Sequence, residues 1–304
     1  MTKLEFTKKL FGELWNRYAA QVPYAKTYQN MLNEYKAKFV NDHVAFRSLK
    51  CSAKGENLGL EIVARIFTNL DYKDAGAIDF PEQKLFAHYY LPASPDLPRV
   101  FVSELLIDKL PADTSKMIKD SVQSFKPILT DGDIQQLNQI PTMSESQIND
   151  LLKKIVSFFT TRQWEAPKES VVKKVNEASQ YGSWVLLHGY AVNHFTGSVN
   201  HHGVSQIDDI EKLVKELKAR GVPMKNEIEG LAGSKLRQTS SQAAKLPVKV
   251  KDDSGNDKTI EWTYAYFEFA ERGFVEENGK KILFQGFLGP QASQLFEMTR
   301  MAKS

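Results

Sequence analysis

The stretch DHVAFRSL at residues 42–49 contains β-branched and aromatic residues and predicts a short β-strand. Apolar residues in NLGLEIVARIFTNL at 57–70 recur every three or four positions, which is typical of a helix that buries one face. KLFAHYYL at 84–91 and RVFVSELLI at 99–107 predict two strands, and the prolines between them cannot lie in a central strand. The order is therefore one strand, one helix and then further strands.

The same order returns in the second half of the chain. GYAVNHFT at 189–196 predicts a strand, and the next apolar series predicts a helix that opens at Ser205 and ends at Gly221. The stretch at 246–270, LPVKVKDDSGNDKTIEWTYAYFEFA, predicts two strands around an Asp-Ser-Gly-Asn turn. The chain thus contains two copies of a strand, helix and strands unit.

The remaining segments are helical in pattern. Residues 3–19 and 25–38 predict two N-terminal helices, and the middle of the chain carries a helix start signal at Ser144. The closing segment SQLFEMTRM at 293–301 is also helical in pattern. We therefore predict one domain over residues 1–304, built from two modules at about 40–110 and about 184–290, with a helical insertion at about 112–180.

Composition and charge exclude several classes of protein. Hydrophobic residues make up 42% and charged residues 25%, as in ordinary globular proteins. The 40 basic and 37 acidic residues are interspersed, so no nucleic-acid partner is expected. The N-terminus has the pattern of an amphipathic helix instead of a signal peptide, and no apolar run is long enough to span a membrane. The single cysteine, Cys51, favours a reducing compartment, for which we predict the cytoplasm.

Two histidines occupy corresponding positions in the two copies. Side chains alternate across a strand, so His43 and Arg47 share one face of the first strand. His194 lies at the matching place in the second copy, where alternation puts it on a face with His188 and Tyr190. If the modules pack about a pseudo-twofold axis, their first strands meet and direct the two histidines to one point.

A carboxylate completes a candidate metal site. Glu268 lies on an otherwise strongly apolar strand, where a buried charge is costly without a cation. Two imidazoles and one carboxylate on one side of an ion form the facial triad of non-haem Fe(II) oxygenases. The repeat also suggests Glu104 as a rival carboxylate, either as a further ligand or as a hydrogen-bond acceptor that holds an imidazole.

Five stretches of the chain resemble a known family. DHVAFRS, GYAVNHFT, EGLAGSKLRQTSS, YFEFAERG and GPQASQLFEMT, in this order from residue 42 to 299, are similar to segments of the 2-oxoadipate dioxygenase/decarboxylase (hydroxyglutarate synthase) family of the vicinal oxygen chelate superfamily. The resemblance implies an α+β fold in which paired βαβββ modules form a half-open β-barrel. It also implies Fe(II) as the cofactor, held by His43, His194 and Glu268.

The resemblance further implies a reaction. A small 2-oxo acid, in the first place 2-oxoadipate, and O2 would be the partners, and 2-hydroxyglutarate and CO2 the products. Arg47 would bind a carboxylate of the substrate through a two-pronged ionic hydrogen bond. Candidates for holding the far carboxylate come from the stretch LRQTSS: Arg237, Gln238, Ser240 and Ser241. Kinship suggests a place in lysine catabolism.

The residues leave alternatives open. Another metal-dependent enzyme of the same fold, namely an isomerase, a lyase or a ring-opening dioxygenase, would use the same ligands. Paired modules of this kind also bind small molecules without turnover. Arg47 can instead serve as a structural partner of Glu104.

Overall fold

The structure is a computed structural model that describes residues 1–277 and 279–289. The predicted closing helix at 293–301 lies outside the described residues. Within them the chain forms an α+β fold, as predicted, and its main sheet has seven strands. No helix of this part is long and apolar enough to cross a bilayer.

The described residues contain nine α-helices and thirteen strands, together with 3₁₀ turns at Ile107–Lys109, Leu137–Thr142 and Val199–His201. The helices are α1 Lys3–Gln21, α2 Pro23–Tyr35, α3 Glu61–Asn69, α4 Ala112–Val122, α5 Asp131–Gln136, α6 Glu145–Thr160, α7 Glu169–Ala178, α8 Gln180–His188 and α9 Ile210–Ala219. The strands are β1 Asn41–Leu49, β2 Ser52–Ala53, β3 Glu56–Asn57, β4 Lys73–Phe80, β5 Leu85–Leu91, β6 Arg99–Leu105, β7 Val192–Ser198, β8 Leu236–Ser240, β9 Lys245–Lys251, β10 Asp257–Thr263, β11 Glu268–Arg272, β12 Phe274–Glu277 and β13 Lys280–Leu283.

The main sheet has the strand order β4-β5-β6-β1-β7-β11-β8 and curls into a half-open barrel. The two histidine-bearing strands, β1 and β7, are antiparallel neighbours at its centre. Each has a parallel partner on its other side, β6 for β1 and β11 for β7. The sheet is therefore arranged about the β1–β7 seam, with β4, β5 and β6 on one side and β11 and β8 on the other.

Helices cover one face of the sheet. Tyr18 of α1 packs with its ring centre 5.0 Å from that of Phe195 on β7, and Phe46 of β1 packs against Phe67 of α3 and Phe159 of α6. These strand residues alternate with the site residues of the same strands, so the opposite face is left for the cavity. The core that supports the site is thus largely aromatic.

Several sequence-based element predictions are confirmed. DHVAFRSL lies within β1, and the N-terminal helices α1 and α2 are present. Ser144 caps α6 through a capping box with Gln147, as its sequence indicates. Helices α4 to α8 occupy the stretch between β6 and β7, while the division of the chain into modules and an insertion stays a prediction.

Other boundaries differ from the prediction. Helix α9 begins after Asp209, whose side chain accepts a hydrogen bond from the amide of Lys212, so Ser205 is not its cap. His188 ends α8 and does not lie on a strand with His194. The stretch at 246–270 was predicted as two strands but contributes to three. Strands β9 and β10 form a separate hairpin outside the main sheet, and after an irregular segment β11 returns to the main sheet. Strand β4 was not predicted, since KDAGAIDF is a largely exposed edge strand without apolar alternation.

Candidate metal centre

Two β-bulges shape the seam between β1 and β7. Asn41 pairs with Gly197 and Val44 with Phe195, so β1 carries one extra residue there. Ala45 pairs with His194 and Phe46 with Val192, so β7 carries one extra residue at 193. A bulge turns consecutive side chains toward the same side and is common beside active sites. Each histidine therefore directly follows a polar residue that can reach its ring.

Each imidazole is oriented by the residue that precedes it. Nδ1 of His43 lies 2.8 Å from Oδ1 of Asp42, and Nδ1 of His194 lies 3.1 Å from Oδ1 of Asn193. Because both acceptors engage Nδ1, the hydrogen there leaves Nε2 of each ring as the basic nitrogen. Both rings are thus in the tautomer that a metal ligand needs.

The structure brings His43, His194 and Glu268 together. The two Nε2 atoms are 3.3 Å apart, and they lie 3.3 and 3.4 Å from Oε1 and Oε2 of Glu268, respectively. Donor atoms of all three residues fall within 4.8 Å of one another, and all three side chains are buried. Two donors at right angles and roughly 2.1 Å from a common ion would be about 3 Å apart, so this spacing suits a metal ion.

The charge of Glu268 also fits a cation. Its Oε2 has no hydrogen-bond partner among the described residues, while Oε1 accepts a hydrogen bond from Nε2 of Gln238 at 2.6 Å. Burial raises the pKa of Glu268, but His194, His43 and Gln238 outweigh it, so this pKa lies below its ordinary value. A buried, ionised carboxylate with an open oxygen is the donor that a divalent cation requires. The three residues can therefore hold a metal ion.

The two histidines differ in electrostatic character. Burial lowers the pKa of His194 to about 3, so its ring is neutral and available as a ligand. Burial also lowers the pKa of His43, but its contacts with Asp42 and Glu268 more than compensate, and this pKa lies above its ordinary value. A proton therefore competes with a cation for His43 more strongly than for His194.

Asp42 belongs to a buried network of charges. Arg272 donates to both of its carboxylate oxygens, and Nη1 of Arg99 lies 3.3 Å from Oδ2. Burial raises the pKa of Asp42, but these cations outweigh it and hold that pKa well below its usual range. Arg272 also donates to the carbonyls of Phe284 and Gly286, and Arg99 donates to Gln285. The carboxylate that accepts from His43 is thus connected, through Arg272 and Arg99, to residues 284–286.

Arg47 lies in an aromatic enclosure beside the three residues. Its guanidinium lies over the rings of Tyr181 and Trp184, 4.8 and 5.2 Å from their centres. Arg47 also hydrogen-bonds to Tyr266, and its side chain lines the cavity that contains the three candidate ligands. The alternative pairing of Arg47 with Glu104 is not made: Glu104 accepts a hydrogen bond from the amide of Leu60 and lies 3.3 Å from Nζ of Lys50.

Glu104 lies away from the cluster. Its register partner on β1 is Ser48, which belongs to the opposite face from Arg47. One oxygen accepts from the first turn of α3 and the other lies 3.3 Å from Nζ of Lys50. If His43 corresponds to His194, the register places Phe101 at the position of Glu268, because Ala45 pairs with Phe101 and Thr196 pairs with Glu268. The repeat therefore does not make Glu104 the counterpart of Glu268.

The predicted residues of LRQTSS divide between two faces. Gln238 lines the cavity and binds Glu268, and Ser240 lies opposite Glu268 with its hydroxyl unpaired among the described residues. Arg237 instead forms ion pairs with Glu211 and Glu271 and does not line the cavity. The hydroxyl of Ser241 donates to the carbonyl of Gln242 and accepts from the amide of Phe267.

Several site residues were missed by sequence reasoning. The ring of Phe287 packs edge-on against His43, with centres 4.9 Å apart, and also contacts Phe101. Asp42 and Asn193 are both polar residues directly before a histidine, which was a visible signal. The sequence around Arg272 and Phe287 gave no such signal, because the contacts of these two residues arise only from the tertiary fold.

The sequence of this chain is similar to those of one protein family. Residues 10–301 match the model of the 2-oxoadipate dioxygenase/decarboxylase family. A chloroplastic protein of that name from Arabidopsis thaliana is 27% identical over 320 residues, which cover 97% of this chain and 77% of the relative. A chloroplastic/amyloplastic protein of that name from Oryza sativa subsp. japonica is 29% identical over 280 residues, which cover 88% and 69%.

Solved structures confirm the predicted fold. A protein of Ralstonia eutropha assigned to the glyoxalase superfamily superimposes with a TM-score of 0.82 at 21% identity, over 94% of this chain and 87% of that one. The hydroxyglutarate synthase of Oryza sativa, solved in complex with 2-oxoadipate, superimposes with a TM-score of 0.76 at 24% identity, over 97% and 92%. From the match over nearly its whole length, the chain belongs to the 2-oxoadipate dioxygenase/decarboxylase family.

Proposed function

We propose that this chain is an Fe(II)-dependent dioxygenase that decarboxylates a small 2-oxo acid, in the first place 2-oxoadipate, to 2-hydroxyglutarate and CO2 with consumption of O2. The observation that carries the proposal is the buried convergence of His43, His194 and Glu268 beside Arg47. Family membership and the named relatives support the substrate class. A place in lysine catabolism belongs to the same proposal and rests on kinship alone.

His43, His194 and Glu268 would hold the metal. Two imidazoles and one carboxylate leave coordination positions open for other ligands, which distinguishes this set from a closed structural site. A ferrous ion held there supplies the redox chemistry by which O2 reacts with an organic acid. The chain itself keeps both rings in the required tautomer through Asp42 and Asn193.

Arg47 would bind a carboxylate of the substrate. The guanidinium is positively charged, buried and directed by stacking on Tyr181 and Trp184, so little conformational freedom is lost when it binds an anion. Its planar shape suits a bidentate contact with a carboxylate. Ser240 remains a candidate for the far carboxylate because its buried hydroxyl has no partner among the described residues.

Much of the remaining cavity wall is apolar, although Ser103, Asn193 and Gln238 also line it. Ala45, Phe101 and Phe287 line it together with Tyr266, which stacks on the ring of His194 at 4.8 Å. Apolar walls suit the carbon chain of a short acid, and exclusion of bulk water would strengthen the charged contacts inside. The chain thereby orients an anionic substrate and shields its reaction.

We also propose that the protein works in a reducing compartment, such as the cytoplasm. This rests on the single cysteine, Cys51, whose thiol is partly buried, and burial raises its pKa to about 12. The two plant relatives are named as plastid proteins, so the compartment of this chain is best tested directly, by cell fractionation.

The test is reconstitution of the purified protein with Fe(II) in air, followed by addition of 2-oxoadipate. We expect O2 uptake, CO2 release and 2-hydroxyglutarate detected by mass spectrometry, with 2-oxoglutarate and phenylpyruvate as comparison substrates. His194→Ala should abolish turnover, whereas the matched control His201→Ala should not, because His201 is exposed and bonds to Ser198. Fe(II)-loaded protein that consumes no O2 with any of the three acids would contradict the proposal, and isomerisation without O2 would favour another enzyme class of this fold.

A further inference from the structure

Asn193 is a buried residue of the cavity whose amide nitrogen takes no part in orienting His194. It occupies the bulge of β7 directly before His194, and only 1% of its surface is exposed. Owing to the bulge, it lines the same cavity as His194, Glu268 and Arg47 although it is the neighbour of His194 in the strand. Its side chain is therefore placed within reach of a molecule bound there.

The two ends of the Asn193 amide are in different situations. Oδ1 lies 3.1 Å from Nδ1 of His194, and it accepts the Nδ1 hydrogen when Nε2 of the same ring binds the metal, so the amide faces this way in the metal-bound site. Nδ2 has two hydrogens, is shielded from solvent, and has no hydrogen-bond partner among the described residues. A buried donor without an acceptor is unfavourable, and it points to an acceptor supplied by a ligand.

The equivalent position in the first copy shows what is special about Asn193. Asp42 likewise accepts from Nδ1 of His43 and orients that ring, but it is a carboxylate whose oxygens also bind Arg272 and Arg99. A carboxylate would have been sufficient to orient His194 as well. An amide orients the ring equally well and in addition presents a donor, which a carboxylate cannot.

We propose that Nδ2 of Asn193 donates a hydrogen bond to an oxygen of the 2-oxo acid bound in the cavity, so that Asn193 is a substrate-binding residue as well as the partner of His194. The inference rests on the proposed function. An oxo acid offers only acceptors at its carboxylate and keto oxygens. The unpaired atoms of Gln238 and Glu268 are themselves acceptors, Oε1 and Oε2, so they cannot serve such an oxygen, whereas Nδ2 can.

The two roles are separated by Asn193→Asp. This variant keeps an acceptor for Nδ1 of His194, as Asp42 provides for His43, but it removes the donor and places a negative charge toward the substrate. Asn193→Ala removes both. Asn149→Asp, which adds one negative charge outside this cavity, is the matched control. Metal content is measured after loading with Fe(II) under anaerobic conditions, and binding of 2-oxoadipate is then measured by calorimetry without O2, with a melting curve for each protein.

If the proposal holds, Asn193→Asp retains stoichiometric metal but binds 2-oxoadipate about ten- to a hundredfold more weakly than wild type, while Asn149→Asp matches wild type. Unchanged 2-oxoadipate affinity in metal-loaded Asn193→Asp overturns it and leaves Asn193 with the orienting role alone. Should Asn193→Asp not take up metal or not fold, Asn193→Ala with full metal content decides by the same criterion, because retained metal shows that His194 still binds the ion while the donor is gone and no charge is added. The wild-type measurement tests the proposed function separately: wild-type protein that binds metal but not 2-oxoadipate contradicts the proposed function itself.

Discussion

Asp42 and Arg272 form a buried two-point ion pair across 230 positions of the chain, with Nε and Nη2 of Arg272 lying 2.7 and 2.8 Å from the two carboxylate oxygens of Asp42. The pair joins the end of β11 to the start of β1. Since Asp42 also accepts from His43, the geometry of one candidate ligand depends on this distant contact.

The first prediction concerns this pair. Asp42→Asn retains an acceptor for His43 but leaves Arg272 and Arg99 without their buried counter-charge. Removing one partner of a buried ion pair costs about 3–5 kcal/mol, so a large fall in the free energy of unfolding is expected in chemical denaturation. Metal affinity should fall about 10- to 100-fold, measured by competition with a chelator. In the control, Asp96→Asn breaks the exposed pair with Lys8 and should cost less than about 1 kcal/mol.

The second prediction distinguishes the two candidate carboxylates. Glu268→Gln should abolish stoichiometric metal binding, because it removes the charged ligand from the centre. Glu104→Gln should keep full metal content and lower stability by about 1–2 kcal/mol, since Glu104 supports the start of α3 through the amide of Leu60. Metal analysis of both purified variants is sufficient. Full metal content in Glu268→Gln, or loss of metal in Glu104→Gln, would reverse the assignment.

The third prediction compares Arg47 with Arg237, the two arginines that the sequence made candidates for binding the carboxylates of the substrate. Arg47→Lys should raise the KM for 2-oxoadipate at least about tenfold, because an ammonium cannot reproduce a bidentate contact. Arg237→Lys should leave KM nearly unchanged, since Arg237 pairs with Glu211 and Glu271 away from the cavity. Steady-state kinetics on both variants checks this, and a similar rise in KM for both would restore Arg237 as a substrate contact.

The fourth prediction concerns pH. Burial lowers the pKa of His188 to about 4, so its neutral form is favoured in the folded state. The unfolded state then binds more protons between pH 6.5 and 4, and the stability that His188 contributes is complete above about pH 6.5 and is lost as the pH falls toward 4. His188→Gln keeps a donor toward the carbonyl of Thr263. Between pH 6.5 and 4 its free energy of unfolding should fall less than that of the wild type, by up to about 3 kcal/mol. Denaturation of both proteins at a series of pH values measures the difference, and equal slopes would contradict it.

Much of the candidate site could be predicted from sequence because its signals are local. The strand pattern around His43 and around His194, and a charge on the apolar segment containing Glu268, are visible without a fold. Alternation nevertheless failed at the bulges, where Asp42 reaches the same side as His43 and Asn193 the same side as His194. An extra residue in a strand depends on the pairing with its neighbour, which a single sequence does not display.

The less successful assignments depended on register. Glu104 was matched to Glu268 by order along the chain, yet strand pairing gives that position to Phe101. Arg237 and Gln238 are adjacent in sequence but lie on opposite faces of β8, so only Gln238 enters the cavity. Phe287 follows the last described strands, and its position depends on hydrogen bonds from Arg99 and Arg272 to backbone carbonyls of residues 284–286. No pattern in the sequence indicates these hydrogen bonds.

The position of the β1–β7 seam has a thermodynamic consequence. An ion shared by His43 and His194 would act as a cross-link between neighbouring strands that belong to different halves of the sheet. Metal binding and the stability of the pairing between β1 and β7 would then be linked, so bound metal would stabilise this pairing and an intact pairing would raise metal affinity. Amide hydrogens along the middle of the sheet should therefore exchange faster after chelation, while those of the outer pair β4 and β5 should change little.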